Sequence, residues 1–181
     1  MSQPTVRATD SQRAQTPNSA RRPKPCILIL FGVTGDLSRR KLLPAIYELS
    51  SDGLLPENFA VVGFSRKVDE VEELRKRLRA GAEEHARTLP LQEEAWDRIA
   101  DSLYATTGDA DDPAAFEKLS KLLEEIDAKH GTEGRHLYYF ATPASVFPMI
   151  LDQMKGAGLL HRASAREELP RTRVVIEKPF G

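Results

Sequence analysis

Cysteine occurs once in these 181 residues, at Cys26. A lone thiol excludes an internal disulfide framework and a cysteine-based zinc site, and the usage fits a reducing compartment. Cys26 itself reads as a small buried side chain at the start of an apolar strand. Long apolar runs are missing too. No stretch approaches the roughly 20 residues needed to cross a bilayer, and no apolar block follows a basic start as a secretory signal requires. There is no Gly-x4-Gly-Lys-Ser/Thr phosphate loop, which argues against an NTPase. No tyrosine is followed four residues later by lysine, which removes the catalytic pair of short-chain dehydrogenases. His85, His130, His136 and His161 show no metal-ligand spacing, read as surface or strand residues, and predict no metal site. A large charge of one sign is also absent, the formal net charge being −1. It is unevenly spread, however. Residues 1–25 carry Arg7, Arg13, Arg21, Arg22 and Lys24 against Asp10 alone, so an acidic body follows a basic tail. An acidic body argues against a nucleic-acid footprint. The tail is acid-poor like a transit peptide but lacks the apolar face of one, so its composition predicts disorder over 1–25.

What is present is an alternation of strand and helix patterns. Ile27-Leu28-Ile29-Leu30-Phe31 is a short continuous apolar run, the signature of a strand buried on both faces of a parallel sheet. A helix is expected from about Ser38 to Ser51, with Leu42, Leu43, Ile46 and Leu49 inward. Pro44 either kinks it or marks its first turn. Phe59 to Phe64 reads as the second strand. A charged helix follows from about Asp69 to Arg87, anchored by Leu74 and Leu78 and otherwise wet. Gln92 to Ser102 reads as a helix with Trp96 and Ile99 inward, and Leu103 to Thr107 as a short strand. Asp112-Pro113 is a helix start, with Phe116, Leu119, Leu122, Leu123 and Ile126 at helical spacing behind it. His136 to Ala141 is strand-like, Pro143 opens a helix that Gly156 and Gly158 stop, and Arg173 to Ile176 is the last strand. The pattern predicts right-handed crossovers: an α/β, Rossmann-like doubly wound, mainly parallel sheet with helices on both faces, over residues 26–181.

In such folds ligands bind beyond the carboxyl ends of the strands, here Gly32, Ser65, Thr142 and Lys178. Gly32-Val33-Thr34-Gly35-Asp36-Leu37 stops the first strand where a helix begins. Two glycines allow a sharp bend and close approach of backbone to ligand, and the amides of the helix start suit a pyrophosphate. The motif departs from Gly-x-Gly-x-x-Gly, and alone it is equally a tight turn. Asp36 and Ser38 add side chains able to cap amides or a ligand hydroxyl. Arg66, with Lys67 beside it, ends the second strand, where an acid would hold the 2′-hydroxyl of NAD and an arginine favours the 2′-phosphate of NADP. It lies 34 residues after Gly32, beyond the usual interval, through a longer first crossover. Glu177-Lys178-Pro179-Phe180-Gly181 follows the last strand. A lysine there beside an X-Pro bond is held in place and suits an anionic substrate or proton sharing.

Together these motifs resemble glucose-6-phosphate dehydrogenase. The resemblance runs through Gly32 to Pro44, Asp52-Gly53-Leu54-Leu55-Pro56, Val62-Gly63-Phe64-Ser65-Arg66, Tyr138-Tyr139-Phe140-Ala141-Thr142-Pro143 and Glu177 to Gly181. They stand in the family's order and cover residues 26–181. The resemblance implies oxidation of glucose 6-phosphate to 6-phosphogluconolactone in the pentose phosphate pathway, with NADP as cofactor. It places Gly32, Val33, Thr34, Gly35, Asp36, Leu37, Ser38 and Arg39 at the dinucleotide phosphates, Arg66 at the 2′-phosphate and Ala141 beside the nicotinamide half. Lys178 would contact both cofactor and substrate, across a cis bond to Pro179. Phe147 stands where some relatives carry a tyrosine, losing a hydroxyl contact. The family's catalytic histidine belongs to an Asp-His-Tyr-Leu-Gly-Lys motif that no histidine here matches, so no catalytic residue is assigned in this chain. The resemblance also implies a cytoplasmic enzyme, homo-oligomeric at full length, with neither nucleic acid nor membrane as partner. The substrate and oligomerisation domain of the family is absent from these residues, which predicts little or no turnover by them alone. A non-catalytic nucleotide-binding or regulatory module, or an inactive fragment, is the competing expectation.

Overall fold

The computed structural model describes residues 23–67, 70–161 and 171–177. Most of the tail expected over 1–25, and everything from Lys178 onward, lies outside the described residues. Five strands form one parallel sheet: β1 (Cys26–Phe31), β2 (Phe59–Ser65), β3 (Leu103–Thr107), β4 (His136–Phe140) and β5 (Thr172–Ile176). Their order is β3-β2-β1-β4-β5, with every neighbouring pair parallel. The doubly wound reading therefore holds.

All six residues of β1 are buried. The strand's period of two explains the unbroken apolar run. Leu28 and Leu30 enter the core on one face, packed with Leu43, Tyr47, Leu74, Leu78 and Trp96. Ile27, Ile29 and Phe31 enter the other, with Phe116, Leu119, Ile126, Tyr138 and Met154. A one-residue slip of β1 would exchange the two sets, so its register is strongly specified. Helices α1 (Leu43–Ser51), α2 (Val71–His85) and α3 (Glu93–Ala100) cover the first face; α4 (Pro113–His130) and α5 (Phe147–Gly156) cover the second.

The first crossover departs from a plain helix. Residues Ser38–Leu42 form a π-helical turn, and the Leu43 amide donates to the Ser38 carbonyl. Pro44 follows this π-turn, at the start of α1 but inside a helical run that begins at Asp36. Leu49, expected inside, is exposed, and the buried face runs through Leu43, Ile46, Tyr47 and Ser50. Tyr47 is wholly buried because its hydroxyl accepts the Gln92 amide at 2.8 Å, and the Ser50 hydroxyl donates to the Ala95 carbonyl at 2.9 Å. These two bonds seat α3 against α1.

The remaining elements match their sequence signals closely. Asp112 caps α4 by accepting the Ala114 amide at 3.0 Å, and Gly131 ends it in the left-handed region at φ 65°. Pro143 precedes a short 3-10 turn, Ala144–Val146, before α5 begins. No helix among the described residues is long and apolar enough to cross a membrane. No group of three or more His, Cys, Asp or Glu among them could hold a metal.

At the amino end of β4 a polar knot closes the α4–β4 connection. Asp127 accepts the Thr132 hydroxyl, the Gly134 amide at 3.2 Å and the His136 Nε2–H at 2.9 Å. Burial pushes the Asp127 carboxyl up. The hydrogen bonds from His136 and Thr132, the neighbouring imidazole and the Gly134 amide outweigh it and hold the group below its ordinary value. A depressed folded-state pKa stabilises the fold above the unfolded value, near pH 4, and that contribution is lost as pH falls through the folded value. Asp127→Ala is expected to cost about 2 kcal/mol at pH 7. The difference from wild type should shrink toward pH 3, as urea unfolding at the two pH values would show.

Candidate functional site

The sheet order reverses between β1 and β4. The chain leaves β1 toward the α1 face and β4 toward the α5 face, which opens a crevice at their carboxyl ends. Its floor is the bend after β1. Gly32 has φ +84°, a conformation that L side chains rarely adopt. Its amide donates to the Phe64 carbonyl at 2.8 Å and its carbonyl accepts the Gly35 amide at 2.9 Å. The buried Ser38 hydroxyl donates to that same carbonyl at 3.1 Å. A Cβ on Gly32 would stand 2.7 Å from the Ala141 carbonyl oxygen and 3.0 Å from Thr142 Cγ2. Glycine is thus required twice over, for its dihedral and for the approach of the β4 turn. One strand away, Gly63 leaves room for Val33, whose Cγ1 would lie 2.7 Å from a Cβ placed there.

Above this bend lies a crevice of about 470 Å³ running from the β3 end to α5. Gly32, Thr34 and Gly35 form one part of its wall; Ser65 and Arg66 form the next; the Gly108–Asp111 loop closes that end; Ala141, Thr142 and Pro143 line the opposite end. Thr34 Oγ1 and Ser65 Oγ are 2.7 Å apart and tie the first two walls together. Thr142 Oγ1 is buried without a hydrogen-bond partner among the described residues, so the crevice holds an unused polar atom. The helix begins at Asp36, and its leading amides have no intrahelical acceptor and carry the positive end of the dipole. Bare glycine backbone, a helix start and an orphaned hydroxyl are features that fit a phosphorylated dinucleotide.

The residues singled out in the sequence divide into two groups. Gly32, Thr34, Gly35, Arg66 and Ala141 line the crevice together. Val33 is buried in the core against Gly63, so only its backbone is available to a ligand. The Ser38 side chain is spent on the Gly32 carbonyl and holds the bend rather than facing outward. Asp36, Leu37 and Arg39 do not line the crevice. Arg39 pairs with Glu84 of α2 at 3.2 Å and approaches Asp36 at 4.0 Å. Gly81 permits that packing, since a Cβ on it would meet the Arg39 carbonyl at 2.8 Å. Lys178 lies outside the described residues. Phe147 packs its ring on Phe140, 5.2 Å between centroids.

Sequence reasoning missed the loop after β3. Gly108, Asp109, Ala110 and Asp111 line the crevice beside Arg66. The signal was available: β3 ends at Thr107, so the rule that singled out the ends of β1, β2, β4 and β5 applies equally there.

Residues 29–181 match the family described as glucose-6-phosphate dehydrogenase, NAD binding domain. Among similar proteins, glucose-6-phosphate 1-dehydrogenase 2 of Mycobacterium tuberculosis and of Mycobacterium bovis is 42% identical over 158 residues, 87% of this chain and 30% of the relative. Glucose-6-phosphate 1-dehydrogenase of Chlamydia pneumoniae is 35% identical over 164 residues, covering 91% of this chain and 32% of the relative. The chain thus spans under a third of the length of these relatives. The crystal structure of glucose-6-phosphate 1-dehydrogenase from Mycobacterium avium superposes with a TM-score of 0.69 at 31% identity, over 88% of this chain and 31% of that one. A glucose-6-phosphate dehydrogenase in complex with glucose-6-phosphate gives 0.74 at 24% identity, over 89% of this chain and 32% of that one, a likeness of fold.

The geometry at Gly32 makes a direct prediction. Gly32→Ala places a side chain in a strained dihedral and against the Ala141 carbonyl, and is expected to cost about 1–3 kcal/mol. The β4 turn must move to admit it. Dinucleotide affinity should fall at least tenfold at temperatures where the variant remains folded, measured by cofactor titration beside a thermal melt.

Proposed function

The chain belongs to the glucose-6-phosphate dehydrogenase family, as its N-terminal dinucleotide-binding domain, and from that premise we propose that it binds NADP in the β1/β4 crevice, in preference to NAD. The observation that carries this reading is the pairing of the Gly32–Gly35 bend with Arg66 in one crevice. The bend offers backbone amides at a helix start, which suit the diphosphate. Arg66 stands at the end of β2, where the adenine ribose lies in dinucleotide folds. Its side chain is 81% exposed at the crevice lip, open to grip a 2′-phosphate with two parallel hydrogen bonds. Ala141 and Thr142 border the opposite end, which suits the nicotinamide half.

The reaction to which this domain contributes is the oxidation of glucose 6-phosphate to 6-phosphogluconolactone, in the pentose phosphate pathway of the cytoplasm, within a homo-oligomer. NADP supplies the hydride acceptor when bound. The chain's own residues bind and orient it. The Ser38 bond to the Gly32 carbonyl holds the bend rigid, and the Thr34–Ser65 bond fixes the lip that carries Arg66. Lys178 is proposed as the contact to sugar phosphate and cofactor. None of the four histidines lines the crevice, so a base for the C1 hydroxyl proton is not supplied at this site by imidazole. Turnover by these residues alone is accordingly expected to be negligible, and a purely nucleotide-binding role is the second reading.

Two measurements test this. Arg66→Ala should weaken NADP about tenfold or more while changing NAD little. An unchanged NADP/NAD affinity ratio in fluorescence titrations would remove Arg66 from the proposed role. NADPH formation from glucose 6-phosphate should stay at background for the 181-residue chain. Sustained turnover would require a base outside the imidazoles and would exclude the binding-only reading.

A further inference from the structure

One cation and two acids share the ribose end of the crevice. Arg66 is the only basic side chain among the described residues lining it, while Asp109 and Asp111 line the same wall. Arg66 Nε lies 3.9 Å from Asp109 Oδ1, and the two side chains are 81% and 63% exposed. The loop that carries Asp109 is anchored. The Gly108 amide donates to the Ser65 carbonyl at 3.2 Å and the Asp109 carbonyl accepts the Asp112 amide at 3.2 Å. A Cβ on Gly108 would come within 2.1 Å of the Ala115 Cβ, which holds the loop tight against α4. Asp112 is occupied as the α4 cap, whereas the Asp109 carboxylate has Arg66 as its one partner among the described residues. An ion pair this long and this exposed is weak. Both groups therefore remain available to a ligand.

Resting on the dinucleotide reading above, we propose that Asp109 is a specificity-determining residue that limits how strongly the crevice prefers NADP over NAD. Its carboxylate opposes the 2′-phosphate that Arg66 attracts, because a phosphate monoester carries close to two negative charges at neutral pH. The same carboxylate accepts a hydrogen bond from a free 2′-hydroxyl, the role an acid takes in NAD-binding folds. With Asp111 beside it, two carboxylates outnumber the one guanidinium among the described residues lining the crevice, so Arg66 does not by itself commit the site to NADP. In this arrangement Arg66 gives phosphate affinity and Asp109 sets how far that affinity exceeds the affinity for NAD.

The test is a titration of NADP and of NAD onto the 181-residue chain as wild type, Asp109→Asn and Arg66→Ala, each repeated at high salt. Thermal melts should be unchanged, since Asp109 is exposed. Asp109→Asn is expected to tighten NADP on the order of fivefold and to weaken NAD about twofold or more. The gain for NADP should shrink at 1 M salt, where screening is strong. A weaker NADP affinity in Asp109→Asn would overturn the proposal and make Asp109 a positioning residue for Arg66. An unchanged NADP/NAD ratio would overturn it as well. If Arg66→Ala moves the ratio and Asp109→Asn does not, the NADP reading stands and this proposal alone falls. If wild type binds neither dinucleotide, both fall.

Discussion

The close approach of two backbone turns, one after β1 and one after β4, is the constraint on which the rest of this molecule depends. It exists because Gly32 has no side chain to hold the Ala141 carbonyl away. The contact sets the depth of the crevice and the direction in which the following helix points. The Phe64 carbonyl holds the Gly32 amide, and the Ser38 hydroxyl and Gly35 amide hold its carbonyl. The end of β2, the β4 turn and the following helix start therefore meet at one residue.

Packing on the two faces of the sheet supports that contact without taking part in it. β1 alternates its apolar side chains between two separate cores, so neither face can be lost without losing the register that presents Gly32 at the strand end. On the second face, Phe31 stacks on Phe116 with centroids 5.9 Å apart, tilts against Phe64 at 5.1 Å and meets Phe140 edge-on at 5.3 Å. Two of these rings, Phe31 and Phe64, also line the crevice. The site is a polar rim on an aromatic base. Such a layout lets the rim diverge in charge, as at Arg66 and Asp109, without cost to the core.

Stability and binding are placed at opposite ends of the sheet. The Asp127 knot sits at the amino ends of the strands, beside His136 and Thr132, whereas every crevice residue lies at or beyond the carboxyl ends. A half-buried carboxylate with three hydrogen bonds is a structural lock. Its separation from the crevice means that acid sensitivity of the fold and ligand recognition are governed by different groups. The same holds for Arg79, which forks onto Glu93 at 2.6 and 2.8 Å and lies over Trp96. It binds α2 to α3 and does not line the crevice.

Much of this was legible in the sequence because it depends on local periodicity and on residues with restricted backbone choices. The five strands, their parallel arrangement, the glycine bend and the Asp112-Pro113 helix start all follow from such patterns. So did Arg66 at a strand end, since the topology of alternating strands and helices dictates where that end must lie. Three things required the tertiary structure. On α1, Tyr47 and Ser50 face inward and Leu49 does not, because the two hydroxyls pair with the Gln92 amide and the Ala95 carbonyl, partners that only packing supplies. Val33 and Ser38 turned inward because their surroundings, Gly63 on β2 and the Gly32 carbonyl, come from packing and from a bend whose shape is not local. The acidic loop after β3 joined Arg66 only when β3 paired with β2 at the sheet edge. Sequence alone determined the elements and the chemistry each strand end could offer; which of those groups share one crevice was decided by strand order, because contact between distant segments is a property of the folded chain.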